Sequence, residues 1–263
     1  VVLDDWTVGY ATSTFADPDA EPPVIDGAGP NGDISKTQVL VRWLHTYKDR
    51  WVVAASAEMP SSQPAVDDHQ TAKCKDYIPD FAALGQYQWD GGNSHVRLSG
   101  LLRFLPYRDL IEAKNHTILG WGVQLSTTFK VVPTLSIFGL TNIGQGHSSY
   151  TGDLSIDNFD LIAKKDSPGR LYAPTAFSVT VGAQYFFRPD LYACLALAEQ
   201  RFLPNYNPAD NTYKYGLYGA VNLFWEVTPR LTVGAEYLAG KRKNFNGTHG
   251  NANRIDAMFQ FAF

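Results

Sequence analysis

Along most of the chain, hydrophobic residues fall at every second position. Val39, Val41 and Trp43 alternate with Gln38 and Arg42. Trp51, Val53, Ala55 and Ala57 alternate with Ser56 and Glu58, and Val96, Leu98, Gly100, Leu102 and Phe104 oppose Arg97, Ser99 and Arg103. The rhythm returns in Leu119, Trp121, Val123, Leu125 and Phe129 against Gln124, Ser126 and Thr128, then in Phe177, Val179, Val181, Ala183 and Tyr185. It continues in Tyr215, Leu217, Val221, Leu223 and Trp225 against Asn222 and Glu226, and in Leu231, Val233, Ala235 and Tyr237 against Glu236. A period of two belongs to a strand with one apolar and one polar face. The chain closes the same way, with Ile255, Ala257, Phe259, Phe261 and Phe263 opposite Arg254, Asp256 and Gln260. In water such an edge is an aggregation hazard. In an outer-membrane barrel the last strand pairs with the first and its Phe side chains face lipid. The faces of 135–143 stay unassigned. In 191–202 Leu195, Leu197, Glu199 and Arg201 share a face, which calls for a bulge or an exit from the hydrocarbon before Glu199.

The connections carry the stronger signal. About twelve strands are predicted, joined alternately by short turns and long loops. Tight turns fall at Tyr47-Lys48-Asp49-Arg50, Asp90-Gly91-Gly92-Asn93, Val132-Pro133, Arg188-Pro189-Asp190 and Thr228-Pro229-Arg230. Polar loops fall at 15–33, 60–80, 106–115, 144–171, 203–212 and 240–250. A sandwich mixes turn lengths at both ends, whereas an outer-membrane barrel has short periplasmic turns and long external loops. Trp51, Trp89 and Trp225 sit beside short turns, where an aromatic girdle belongs. The expectation is one all-β domain over 1–263: a transmembrane antiparallel up-and-down β-barrel, with external or constriction loops at 15–33, 60–80 and 144–171.

Composition fits. Charged residues make up 18% of the chain, against roughly 25% in soluble domains, and aromatics 13%. No apolar run approaches the ~20 residues of a membrane helix. The formal charge of -4 gives no electrostatic case for nucleic acid. Cys74 and Cys194 lack metal-site spacing, and a single bridge between them is left open. The chain opens at Val1 without a basic or apolar leader, so an export signal is expected to have been removed.

Strand parity turns Gln38, Arg42, Glu58, Arg97, Arg103, Gln124, Gln184, Asn222, Glu226, Glu236, Arg254 and Asp256 inward. An Arg on the lipid face at the midplane costs roughly 2–4 kcal/mol, so Arg42, Arg97 and Arg103 belong in the lumen. Two readings compete for them: a wet channel whose arginines contact anionic solutes, or Arg–carboxylate pairs that rigidify the lumen. Grouped together, they favour solute contact, and Arg42, Arg97, Arg103, Gln38, Glu58 and Arg254 are the expected pore-lining set. Asp17, Asp19, Glu21, Asp26 and Asp33 could bind Ca²⁺, but their spacing is not that of an EF-hand and Pro18, Pro22 and Pro23 stiffen the segment. A solvated loop, or one folded into the lumen, is the better reading. His147-Ser148-Ser149 is not a triad and no Gly-x-Ser-x-Gly elbow exists, so no catalytic residues, metal or cofactor are expected.

Gly9-Tyr10-Ala11-Thr12-Ser13-Thr14-Phe15-Ala16-Asp17, Pro22-Pro23, Gly29-Pro30-Asn31-Gly32 and Gln38-Val39-Leu40-Val41-Arg42 resemble the DcaP-like porins of Gram-negative outer membranes. The resemblance covers about the first 45 residues and extends weakly through strand rhythm to the terminal Phe. It implies a homotrimer of sixteen-stranded barrels, loops that narrow the lumen, and basic residues that serve dicarboxylates and related anions. Arg42 lies within the matched stretch and carries that role best. In the family the Ser-Thr-Phe-x-Asp stretch follows several strands and an N-terminal coiled coil. The chain is therefore expected to be the C-terminal part of a sixteen-stranded barrel, or a twelve-stranded barrel that closes by itself. The function expected is passive diffusion of small hydrophilic solutes, anions such as dicarboxylates, with outer-membrane lipid and lipopolysaccharide as surroundings. The alternatives are an outer-membrane lipid-modifying enzyme, or an adhesive barrel that binds a partner through its long loops.

Overall fold

A computed structural model describes residues 1–156, 158–206, 208 and 211–263. Sixteen strands occur among them: β1 (Val2–Leu3), β2 (Trp6–Thr12), β3 (Thr37–Tyr47), β4 (Trp51–Glu58), β5 (Thr71–Lys73), β6 (Asp80–Trp89), β7 (Ser94–Asp109), β8 (Lys114–Val132), β9 (Leu135–Gln145), β10 (Ile162–Ala163), β11 (Leu171–Tyr172), β12 (Thr175–Arg188), β13 (Leu191–Leu203), β14 (Tyr213–Thr228), β15 (Leu231–Asn244) and β16 (His249–Phe261). Twelve long strands form one antiparallel wall in the order β2-β3-β4-β6-β7-β8-β9-β12-β13-β14-β15-β16. Each neighbour is next in sequence except where β5 or the β10–β11 hairpin intervenes, as in an up-and-down meander. Among the described residues β16 has no ladder to β1 or β2, so the wall stays open there and twelve strands do not close on themselves.

The outer face is apolar because alternation leaves it nothing else. Val39, Val41, Val53, Leu98, Leu119, Val123, Leu125, Val181, Leu195, Val221 and Leu223 are all exposed. On β8 this run from Leu119 to Phe129 rises about 34 Å along the strand, which a barrel tilt of about 35–45° reduces to about 25 Å of hydrocarbon. At the short-turn end Trp51, Tyr87, Trp89 and Phe129 form a chain of ring contacts 4.8–6.1 Å apart, the aromatic girdle of a membrane interface. The β13 ambiguity has a simple answer. Its ladders to β12 and β14 run through Glu199 and Arg201 without a register shift. The stretch around Glu199 and Arg201 holds no bulge, and both residues face outward as an ion pair at 2.5 Å above the apolar band.

Two loop expectations are corrected. At 106–115 the ladder between β7 and β8 continues to Asp109↔Lys114, leaving a turn at 110–113. At 240–250 β15 and β16 pair up to Lys243↔His249, with a turn at 245–248. The described residues of the connections 13–36, 59–79 and 146–174 fold back onto the inner face. The core therefore lies between wall and loops: Phe15, Ala16, Ile34 and Tyr150 pack on Ala82 and Leu101, and Leu154 and Ile162 pack with Ala176, Phe202 and Tyr213. Cys74 and Cys194 are free thiols.

Candidate functional site: the inner wall and its strap

The segment 13–36, between β2 and β3, is a strap laid across the inside of the wall. Its prolines and glycines prevent it from forming a strand of its own, so its backbone groups find side-chain partners on the wall. Thr14 donates its N–H to Glu58 (2.8 Å). Asp17 accepts from His95 at 2.9 Å and from Ser126, and pairs with Arg97 at 3.2 Å. Thr128 donates to the Asp19 carbonyl (2.5 Å). Further round, Asn222 donates to the Pro23 carbonyl at 2.9 Å, and Glu236 accepts from the Ile25 and Asp26 amides at 2.8 and 3.0 Å. The strap then returns: Ser178 and Asn142 both donate to the Gly32 carbonyl (2.8 Å each), and Thr180 donates to Asp33 (2.7 Å).

Wall glycines make room for it. A Cβ on Gly122 would lie 3.0 Å from the Phe15 ring, and one on Gly182 would lie 2.4 Å from the Pro22 Cβ. Glycine inside a strand marks such close approaches, and this was the available signal that the loop docks on the wall. Gly182→Ala is expected to lift the strap at Pro22 and cost about 1–3 kcal/mol by overpacking. Urea unfolding in micelles checks this; an unchanged midpoint would place Pro22 away from β12.

A second hub fastens the loops 59–79 and 146–174. Arg103 is fully buried, with Asp80 and Asp160 each at 3.0 Å, the Gly146 and Ser61 carbonyls at 2.7 and 3.1 Å, and the Tyr150 ring 4.9 Å away. Tyr150 also donates to Asp80 (2.9 Å) and accepts from Gln38 (2.8 Å). Sequence reasoning missed Asp80, Tyr150 and Asp160, because a residue at a strand end or in a loop gives no sign of its partner.

The six expected pore-lining residues separate by exposure. Gln38, Glu58 and Arg103 face inward but are buried beneath the loops. Gln38 and Glu58 bond each other at 2.6 Å, and Arg103 is enclosed by protein, so these three are engaged in holding the loops to the wall. Arg97 is largely covered, held by Gln86 (2.7 Å), the Ala16 carbonyl (3.0 Å) and Asp17. Arg42 is half-buried, with one contact of 3.4 Å to the Thr12 carbonyl. Arg254 is exposed, paired at 2.7 Å with both Asp26 and Asp256. It lines a recess of about 420 Å³ together with Arg242, Asn31, Tyr218 and Asp153.

The acidic residues of the strap are tied to different parts of the wall. Asp17, Asp26 and Asp33 go to separate strands, β7–β8, β16 and β12. Burial would raise Asp17, but the His95 hydrogen bond, the Arg97 charge and the Ser126 hydroxyl outweigh it and hold the carboxyl below its ordinary value. Burial, reinforced by Asp17 and Asp19, pushes Glu21 up to about 7. Burial and Glu21 raise Asp33 well above its ordinary range. His147 donates its Nε2–H to the Asn142 amide oxygen (3.2 Å), and burial depresses it to about 4. Ser148 bonds the Phe159 carbonyl instead, so His147-Ser148-Ser149 forms no relay.

A lipid-facing antiparallel wall with loops packed inside defines an outer-membrane channel of the porin class. Within that class the chain belongs to the DcaP outer membrane protein family, whose model matches residues 1–263. The crystal structure of the outer membrane channel DcaP of Acinetobacter baumannii superposes with a TM-score of 0.83 at 22% identity, covering 98% of this chain and 72% of that one. OmpT, an outer membrane protein of Vibrio cholerae, gives a TM-score of 0.57 at 10% identity over 97% of this chain and 75% of that one, which shows shared fold alone. No curated protein matches. The protein is thus an outer-membrane porin for passive passage of small solutes.

Proposed function

We propose that the solutes are small anions, dicarboxylates among them, and that Arg42, Arg97 and Arg254 face their path. One observation supports this. The inward carboxylates Asp17, Asp33, Glu58, Asp80, Asp160 and Glu236 are buried, while Asp26, Asp153 and Asp256 stay partly open near Arg254. Arg42 and Arg254 keep solvent contact. An inner surface that buries most of its carboxylates and shows guanidinium groups favours anions, because bidentate N–H···O bonds replace part of a carboxylate's hydration. The anion leaves as readily as it enters, since each arginine is already partly satisfied by protein. Lipopolysaccharide around the wall and a homotrimer are the surroundings that family membership suggests.

Reversal potentials of single channels under a salt gradient test this. Anion selectivity that falls in Arg42→Ala and again in Arg254→Ala is expected; cation selectivity in the wild type would overturn the proposal. Glu21 adds a pH signature. It is neutral below about 7 and anionic above, so anion selectivity should decline as pH rises through 7. Its folded-state value is raised, so the strap also loses stability from the ordinary carboxylate range up to about 7. Glu21→Gln should flatten both profiles; a profile that keeps its step assigns it to another group.

A further inference from the structure

The tip of the β7–β8 hairpin holds a cluster that the channel function does not use. Asp109, Glu112 and His116 each present a ligand atom, and these atoms lie within 4.8 Å of one another. The spacing follows from the hairpin: Asp109 ends β7, Glu112 lies in the turn and His116 is on the returning strand. Asp109 Oδ1 is taken by the Ile111 and Glu112 amides at 2.8 and 3.0 Å, which shapes the turn. Its Oδ2 is different. That atom is fully buried, accepts no hydrogen bond and faces the cluster.

A cationic group already reaches all three residues. The Arg170 guanidinium bonds His116 Nε2 at 2.7 Å and Glu112 Oε1 at 2.8 Å, and its Nε lies 3.7 Å from Asp109 Oδ2. The first contact requires an imidazole nitrogen that accepts, which is the form that also binds a metal. Arg170 approaches closely because Gly169 stands beside it: a Cβ there would lie 2.4 Å from the Asp109 carboxylate. Arg170 is partly exposed and follows the turn joining β10 to β11, so it can be withdrawn without disturbing the wall.

We propose that Asp109, Glu112 and His116 form a site for a borderline divalent cation of the Zn²⁺ type, with Arg170 as its built-in competitor. One imidazole and two carboxylates are a three-ligand zinc set with a fourth position for water. Hard cations such as Ca²⁺ require 6–8 oxygen ligands and are not served by it. The metal and the guanidinium need the same lone pairs, so binding of one releases the other. Metal binding therefore unlatches the β10–β11 hairpin from the external tip of β7–β8.

Calorimetric titration of Zn²⁺ into the intact protein in detergent micelles tests this. Arg170→Ala is expected to bind at least about tenfold tighter, because the competitor is gone. Adding His116→Gln to that variant should abolish the gain, and Glu112→Gln, a change at an exposed turn residue, should weaken binding in the wild-type background. Ca²⁺ should produce no heat at this site. Equal Zn²⁺ affinity in the wild type and Arg170→Ala, or a gain that survives His116→Gln, would overturn the proposal.

Discussion

Arg103→Ala should lower stability by about 3–5 kcal/mol, the cost of leaving buried charge without its partner. Arg103 has no solvent exposure and stands between Asp80 and Asp160. Without it both carboxylates stay buried, and the Gly146 and Ser61 carbonyls lose their donor. Asp80 belongs to the wall and Asp160 to the loop 146–174, so the change also releases that loop from β6. The expected record is an earlier urea midpoint in micelles together with a larger single-channel conductance. Arg103→Lys should recover only part of the loss, because an ammonium cannot fork between two carboxylates. Wild-type stability in Arg103→Ala would mean that the loops hold by apolar packing alone.

The second large effect belongs to Asp17→Asn. This carboxylate gathers His95, Arg97 and Ser126 at one end of the strap. Neutralising it leaves Arg97 largely covered without its counter-charge, at a cost of about 3 kcal/mol. The pH dependence follows from the depressed value of Asp17. Its stabilisation is complete above the ordinary unfolded carboxylate range, near 4. It is lost as pH falls through the lower folded-state value. Wild-type unfolding curves should therefore converge on those of Asp17→Asn as pH falls below about 4. Parallel curves over that range would show that Asp17 titrates alike in folded and unfolded chains.

The wall was legible because lipid demands it. One face of Val39–Val41 or Leu119–Phe129 has to be apolar, and a period of two follows from that requirement. Where strands rise above the hydrocarbon the requirement ends. Tyr107, Arg108, Lys114 and Asn115 keep their ladder with no apolar rhythm to reveal it, and the same holds for Lys241 and Lys243 opposite Asn251 and His249. The faces of β9 resisted assignment for a related reason. Phe138 and Leu140 point inward beneath folded-in loops, so both sides of that strand are apolar. Parity also turned the arginines inward, but it carries no information about what covers them. Arg103 and Arg42 read alike as a cation between hydrophobic neighbours. They differ because Asp160 and Asp80 meet one of them across contacts distant in sequence. Glycines at 122 and 182 held the remaining hint that chain lies against the inner wall.

The strap has a consequence for the order in which the molecule is made. Its far anchors join Pro23 to Asn222 and Ile25 to Glu236, separations of 199 and 211 residues. Such contacts pay their loop-closure entropy only when the intervening chain is already organised. The strap therefore cannot seat until β14 and β15 have joined the wall. The N-terminal anchor at Asp17 waits only for β7 and β8. A chain held up before its last strands carries a tethered flap across an unfinished wall, and the filled inner face is the final product of assembly.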